Sequence, residues 1–308
     1  MRNWLLAAAA ICLTLLANPS RAQDLFARSN LVAWCIVPFD AKKRGPEERA
    51  QMLERLGIKR LAYDYRAEHI PAFNAEVVAT KRHGIEFMAW WFPTTLNDES
   101  RGILKVIERH KITPQLWVMG ASSPAPDAIV EQRPRVDSEA ARLRPIAEAA
   151  ARLGCNLGLY NHGGWFGEPE NQIEIIARLK RESVTNVGIV YNFHHGHEHI
   201  SRFPEMFRRM QPYLLCVNLN GMVKDGDKRG QKILHLAEGD QESGMLKVMR
   251  DSGWFGPVGI IDHRPETDSE ETLQNNLRGL DWLIKELKQP GAGGPRPFKS
   301  LPAPAPLK

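Results

Sequence analysis

"NLGLYNHGGWFGEPENQIEIIARLKRESVTNVGIVYNFHH", residues 156–195, holds two short runs of β-branched and aromatic residues, NLGLYNH and NVGIVYNF, with one amphipathic stretch between them. In PENQIEIIARLKRE (169–182) the apolar residues recur at helical spacing behind a proline suited to a first turn, so the segment reads strand, helix, strand. The same alternation continues on both sides. Strand-like runs stand at LVAWCIVPF (31–39), KRLAYDY (59–65), IEFMAWWF (85–92) and TPQLWVM (113–119) before it, and at LLCVNLN (214–220) and PVGIIDH (257–263) after it. Helical periodicity appears in PEERAQMLERLG (46–57), EAARLRPIAEAAARLG (139–154), ISRFPEMFRRMQPY (200–213) and SGMLKVMRDSG (243–253). Eight strands alternating with helices predict an α/β fold, a single-domain (β/α)8 TIM barrel over residues 23–288, a length close to the roughly 250 residues typical of that architecture. An open doubly wound sheet is the other arrangement considered, but no GxGxxG follows the first strand.

The two ends differ from this body. Residues 1–22 combine an early Arg2, an apolar run from Trp4 to Ala17 and small residues at Ser20 and Ala22, which predicts a cleaved secretory signal and an exported, periplasmic or secreted protein. That run is short for a membrane span, and none is expected elsewhere. Residues 289–308, rich in Pro, Gly and Ala, predict a poorly ordered tail. Arg2, Arg21, Arg296, Lys299 and Lys308 all lie in these ends and account for the net charge of +5, so the body is neutral and a nucleic-acid partner is not expected. Beyond the leader only Cys35, Cys155 and Cys216 remain, widely spaced and without a CxxC, which predicts buried thiols rather than a disulfide or zinc module.

A barrel presents its chemistry at the C-terminal ends of its strands. Those ends carry Asp64 and Tyr65, Trp90 and Trp91, Trp117, YNHGGW (160–165), YNFHHGH (191–197), NLNGM (218–222) and Asp262 with His263. Asn161, Asn192, Asn218 and Asn220 suggest a ring of amides for substrate hydroxyls, with Trp91 and Trp165 offering apolar faces for a sugar ring. Asp64 and Glu168 are further candidate substrate contacts, Glu168 also reading as the start of a helix behind Pro169. Imidazole titrates near neutral pH, so His162, His194 and His195, with Asp262, are the candidate catalytic acid/base residues. The same histidines in a rearranged set are candidate metal ligands, whereas His197 and His199 read as solvated or capping.

LGLYNHGG, GIVYNFHHGH, VNLNGM, ILHLAEGD and GWFGPVGI together resemble the xylose isomerase-like TIM barrel family of sugar isomerases, sugar epimerases and endonuclease IV-type enzymes, over about residues 31–287. The resemblance implies a divalent metal held by acidic and imidazole side chains from the fifth to eighth strands. At the matching positions this chain has Tyr160, Asn192, Asn218 or Asn220, and Ile261 or Asp262, with only His195 conforming. Amide oxygens and a phenol do not supply the charge that holds such an ion, so the family's metal site is altered. The resemblance implies a sugar isomerase or epimerase working by proton abstraction beside a carbonyl. Export makes a neutral sugar or keto-sugar a better substrate than a phosphorylated one. A lyase eliminating the substituent of a 3-keto-glycoside, or a non-catalytic carbohydrate-binding barrel, are the alternatives.

Overall fold

A computed structural model describes residues 24–121 and 131–299; the leader-like residues 1–22 lie outside them. All eight expected strands are present: β1 (Leu31–Trp34), β2 (Arg60–Tyr63), β3 (Glu86–Trp91), β4 (Gln115–Val118), β5 (Leu157–Tyr160), β6 (Val187–Asn192), β7 (Leu214–Leu219) and β8 (Val258–Ile261). Each pairs in parallel with its sequence neighbour, and β8 returns to β1 with Leu31 opposite Val258 and Trp34 opposite Ile261, closing the barrel.

The outer ring is formed by α1 (Pro46–Arg55), α2 (Phe73–Arg82), α3 (Asp98–His110), α4 (Gln132–Arg152), a four-residue α5 (Gly164–Gly167), α6 (Pro169–Lys180), α7 (Phe203–Met210), α8 (Glu242–Asp251) and α9 (Ser269–Lys288). Their starts follow local chemistry. The Asn97 side chain accepts from Ser100 N at 2.9 Å ahead of α3, Asp268 accepts from Glu270 N at 3.0 Å ahead of α9, and Pro169 opens α6.

Strand alternation sorts the apolar residues into two cores. Leu31, Ala33, Leu61, Tyr63, Leu159 and Ile260 pack outward under the helices. Val32, Trp34, Ala62, Trp117, Tyr160, Val190, Cys216 and Ile261 fill the interior. Trp34 of β1 donates its indole N–H to the Tyr160 hydroxyl of β5 at 3.1 Å, a contact across the full width of the barrel. Two glycines make room for this filling. A Cβ on Gly158 would stand 2.9 Å from Trp117, and one on Gly259 would stand 1.7 Å from the Asn218 amide oxygen. Cys35, Cys155 and Cys216 are buried free thiols, as expected.

The tail departs from expectation over its described part. Gly291 and Gly293 donate their N–H groups to the Glu286 carboxylate at 2.9 and 2.7 Å, Arg296 Nε donates to Ala237 O at 2.7 Å, and Phe298 stacks on His235. Residues 289–299 are therefore docked on the body by an aromatic ring and an arginine that composition alone does not weigh. Residues 300–308 lie outside the described residues.

Candidate functional site

Above the interior indoles the strand ends open into a cavity of about 470 Å³. Trp34, Cys35 and Phe39 reach it from β1 and the loop beyond, Asp64, Tyr65 and Arg66 from the segment just after β2, and Trp91 from β3. The far wall is Tyr160 and His162 from β5, His194 and His195 after β6, and His263 after β8. Asp64, Trp91, His162, His194 and His195 are thus brought together as the sequence suggested; Tyr160 and His263, placed at strand ends but given no site role by the sequence, join them, as do Phe39 and Arg66, which it did not single out. Cys35 (φ 57°) and His263 (φ 97°) hold left-handed backbone, a conformation that costs a non-glycine residue about 1–3 kcal/mol and tends to collect at working sites. His263 is stacked on Phe39 with ring centres 4.0 Å apart, and the Arg66 guanidinium lies over the same Phe39 ring, 5.3 Å from its centre.

Burial governs the charges. It pushes the Asp64 carboxyl up to about 7, against the opposing pull of Arg66. Asp64 Oδ1 accepts from Val37 N at 3.4 Å, and Oδ2 has no partner among the described residues. Burial acts in reverse on imidazoles: it holds His162, His194 and His263 below their ordinary value, and together with His162 and Lys232 it pushes His195 down to about 2. The His162 and His195 ring centres are 4.5 Å apart, those of His194 and His195 3.9 Å. These are neutral rings, able to exchange hydrogen bonds with hydroxyls and poor as bases at neutral pH.

Several expected contacts lie elsewhere. Asn161 points out of the barrel and clamps β5 to β6, its Oδ1 accepting from Asn192 N at 2.7 Å and its Nδ2 donating to Asn192 O at 3.2 Å. Asn192 sits in the interior, donating its amide N–H to the Tyr160 hydroxyl and accepting from His194 Nδ1 at 2.8 Å. Asn218 packs over Gly259 and accepts from the Cys216 thiol at 3.6 Å, and Asn220 pins the following loop through Lys232 O and Leu234 N. Asp262 is also raised by burial to about 7, but it accepts from Ser269 Oγ at 2.7 Å and secures the turn into α9 instead of facing the cavity. Trp165 donates to the Gln132 side chain at 2.7 Å outside the cavity. Glu168 pairs with Arg202 and with His199 at 3.2 Å, tying the start of α6 to the loop before α7. His197 and His199 are buried, not solvated: His197 bridges Val223 O and Lys232 O, at 2.9 and 3.0 Å.

The residues at the barrel centre do not fit a divalent metal. Burial keeps the Tyr160 phenol protonated, its oxygen is already taken by Trp34 and Asn192, Asn192 Oδ1 is engaged by His194, and Ile261 is apolar. That set is neutral where a hard cation needs anionic oxygen. Among the described residues no three His, Cys, Asp or Glu side chains are grouped to hold a metal ion.

No protein-family model matches the sequence, and no curated protein matches it. Solved structures do. The chain is similar to 3-keto-D-glucoside 4-epimerase from E. coli at 14% identity and a TM-score of 0.58, covering 83% of this chain and 99% of that one. It is similar to a xylose isomerase domain-containing protein from Salmonella typhimurium at 13% identity and a TM-score of 0.62, covering 84% and 98%. It is also similar to the IOLI protein, solved with a zinc atom, at 14% identity and a TM-score of 0.63, covering 83% and 98%. What the chain shares with these proteins is the (β/α)8 barrel fold.

Proposed function

We propose that this barrel acts on a keto-sugar, abstracting the proton beside the carbonyl with Asp64 as the base, without a metal ion. The observation that carries this reading is Asp64 itself, a buried cavity carboxyl whose protonation is balanced near pH 7 and whose Oδ2 is left without a partner. A group poised at the working pH is the efficient proton carrier, and a cavity carboxyl oxygen not engaged by another side chain is placed to take the proton. Trp91 offers a face for a sugar ring, and the neutral His162 and His195 serve hydroxyls rather than carry the proton. The likeness to a keto-glucoside epimerase supports the substrate class, and the leader-like first 22 residues support export and hence a sugar without phosphate.

Solvent exchange tests the reading. Incubation of the protein with keto-sugars in D2O should place deuterium beside the carbonyl, read by NMR. Exchange with inversion marks an epimerase, a new double bond with loss of the substituent marks a lyase, and ligand-induced stabilisation without exchange marks a binding barrel and overturns the catalytic reading.

A further inference from the structure

We propose that the Tyr160 hydroxyl is the electrophile of this site, giving its hydrogen bond to the carbonyl oxygen of a bound ketose or keto-glycoside. This deepens the reading above and rests on it. A phenolic oxygen has one hydrogen to give and two positions at which to accept. Both accepting positions of Tyr160 are filled, by Trp34 Nε1–H at 3.1 Å and by the Asn192 amide N–H. The indole can only donate. Asn192 is oriented by its other end, where Oδ1 accepts from His194 Nδ1 at 2.8 Å. The hydroxyl hydrogen is therefore left over, and among the described residues no protein acceptor takes it, although Tyr160 lines the cavity. Trp91, edge-on to the ring at 5.0 Å between centres, and His195, edge-on at 5.8 Å, hold the phenol in place. Burial keeps the hydroxyl protonated well beyond the working pH range, so it acts as a donor.

In the step this serves, the C–H bond beside the carbonyl breaks and its proton passes to the Asp64 carboxylate. The electron pair becomes a carbon–carbon double bond, and the carbonyl π pair moves onto oxygen as an enolate that accepts from Tyr160. Return of a proton to the same carbon restores the ketone on either face, with no net oxidation or reduction. The two N–H groups behind the phenol stabilise the charge that it draws, and such oriented donors cost no rearrangement as the charge develops.

Methyl 3-keto-β-D-glucoside carrying ¹³C at the ketone provides the probe, bound to the full chain and followed by isotope-edited infrared spectroscopy and by deuterium exchange. The expected result is a carbonyl stretch lowered on binding to the wild type and restored in Tyr160→Phe, with kcat for exchange falling about 10²–10³-fold in that variant while KM stays nearly constant. Since Tyr160→Phe strands two buried donors, 3-fluorotyrosine at position 160 serves as a shape-preserving second variant; its more acidic hydroxyl should lower the stretch further. An unshifted carbonyl in the wild type, or a shift and kcat that survive Tyr160→Phe, overturns the role of Tyr160 and leaves the keto-sugar reading standing. Failure of the probe and of other keto-sugars to bind the wild type overturns both.

Discussion

Asp64 and His195 face one cavity from β2 and from the end of β6, and the same loss of water moves them in opposite directions. The carboxyl rises to about 7 and the imidazole falls to about 2, because burial disfavours whichever form is charged. One wall thereby gains a group that changes protonation at physiological pH, and the other loses it. The residue type usually chosen for proton transfer near neutrality is, in this environment, the one disqualified from it.

The largest expected effect sharpens that contrast. Asp64→Asn should lower α-proton exchange about 10²–10⁴-fold and abolish the rise in wild-type rate through about pH 7, whereas His195→Gln should leave that inflection in place. An equal loss of rate and inflection in His195→Gln would break the comparison.

Stability gives the second test, and its sign differs between the two walls. An Asp64 raised to about 7 contributes stability that is full below its unfolded value near 3.9 and is lost as pH rises through about 7. Wild type should therefore lose about 1.4 kcal/mol per pH unit relative to Asp64→Asn between about pH 4 and 7, and nothing further above. His195, lowered in the fold, contributes stability that is present above about 6.5 and is lost as pH falls toward its folded value, so His195→Gln should gain on wild type in acid. Urea titrations at pH 5 and pH 8 read both slopes, and slopes of the same sign would refute the account.

Asn161 and His162 make a finer version of the comparison, as chain neighbours facing opposite ways. Asn161→Ala leaves the buried Asn192 N–H without its acceptor and should cost about 1–3 kcal/mol in urea denaturation with sugar affinity kept. His162→Ala should weaken sugar binding and change stability less, as calorimetry and urea titration of the same variant will show. The smallest effect belongs far from the cavity: removing residues 289–308 takes away the Arg296 and Phe298 contacts and should cost about 1 kcal/mol, measured the same way, with exchange kinetics unchanged.

The barrel was legible because eight strand runs, each ending in turn chemistry, leave few other topologies. The helices α2, α3 and α9 were not read from periodicity, although the side chains of Asn97 and Asp268 mark where two of them start. At the site, period-two alternation sorts the strand-end residues. Extended along β5, with Gly158 and Tyr160 inside, it puts His162 in the cavity and Asn161 outside. Along β8, with Gly259 and Ile261 inside, it selects His263 over Asp262, and along β2, with Ala62 inside, it selects Asp64 and then Arg66. Period two thus holds the signal for Arg66 and His263. The network joining Trp34, Tyr160 and Asn192 spans β1, β5 and β6, and pairing at that distance has no trace in local sequence.

The interior stack that fills the barrel also gives the protein its own optical gauge. The Trp34 and Trp117 rings lie 4.8 Å apart at 70°, near enough for their excited states to couple and leave a signed doublet in circular dichroism. Trp34 and Trp91 line the cavity, so a sugar settling on them alters emission intensity and wavelength without any dye or label. Screening for the natural ligand can accordingly begin with a fluorimeter and unmodified protein.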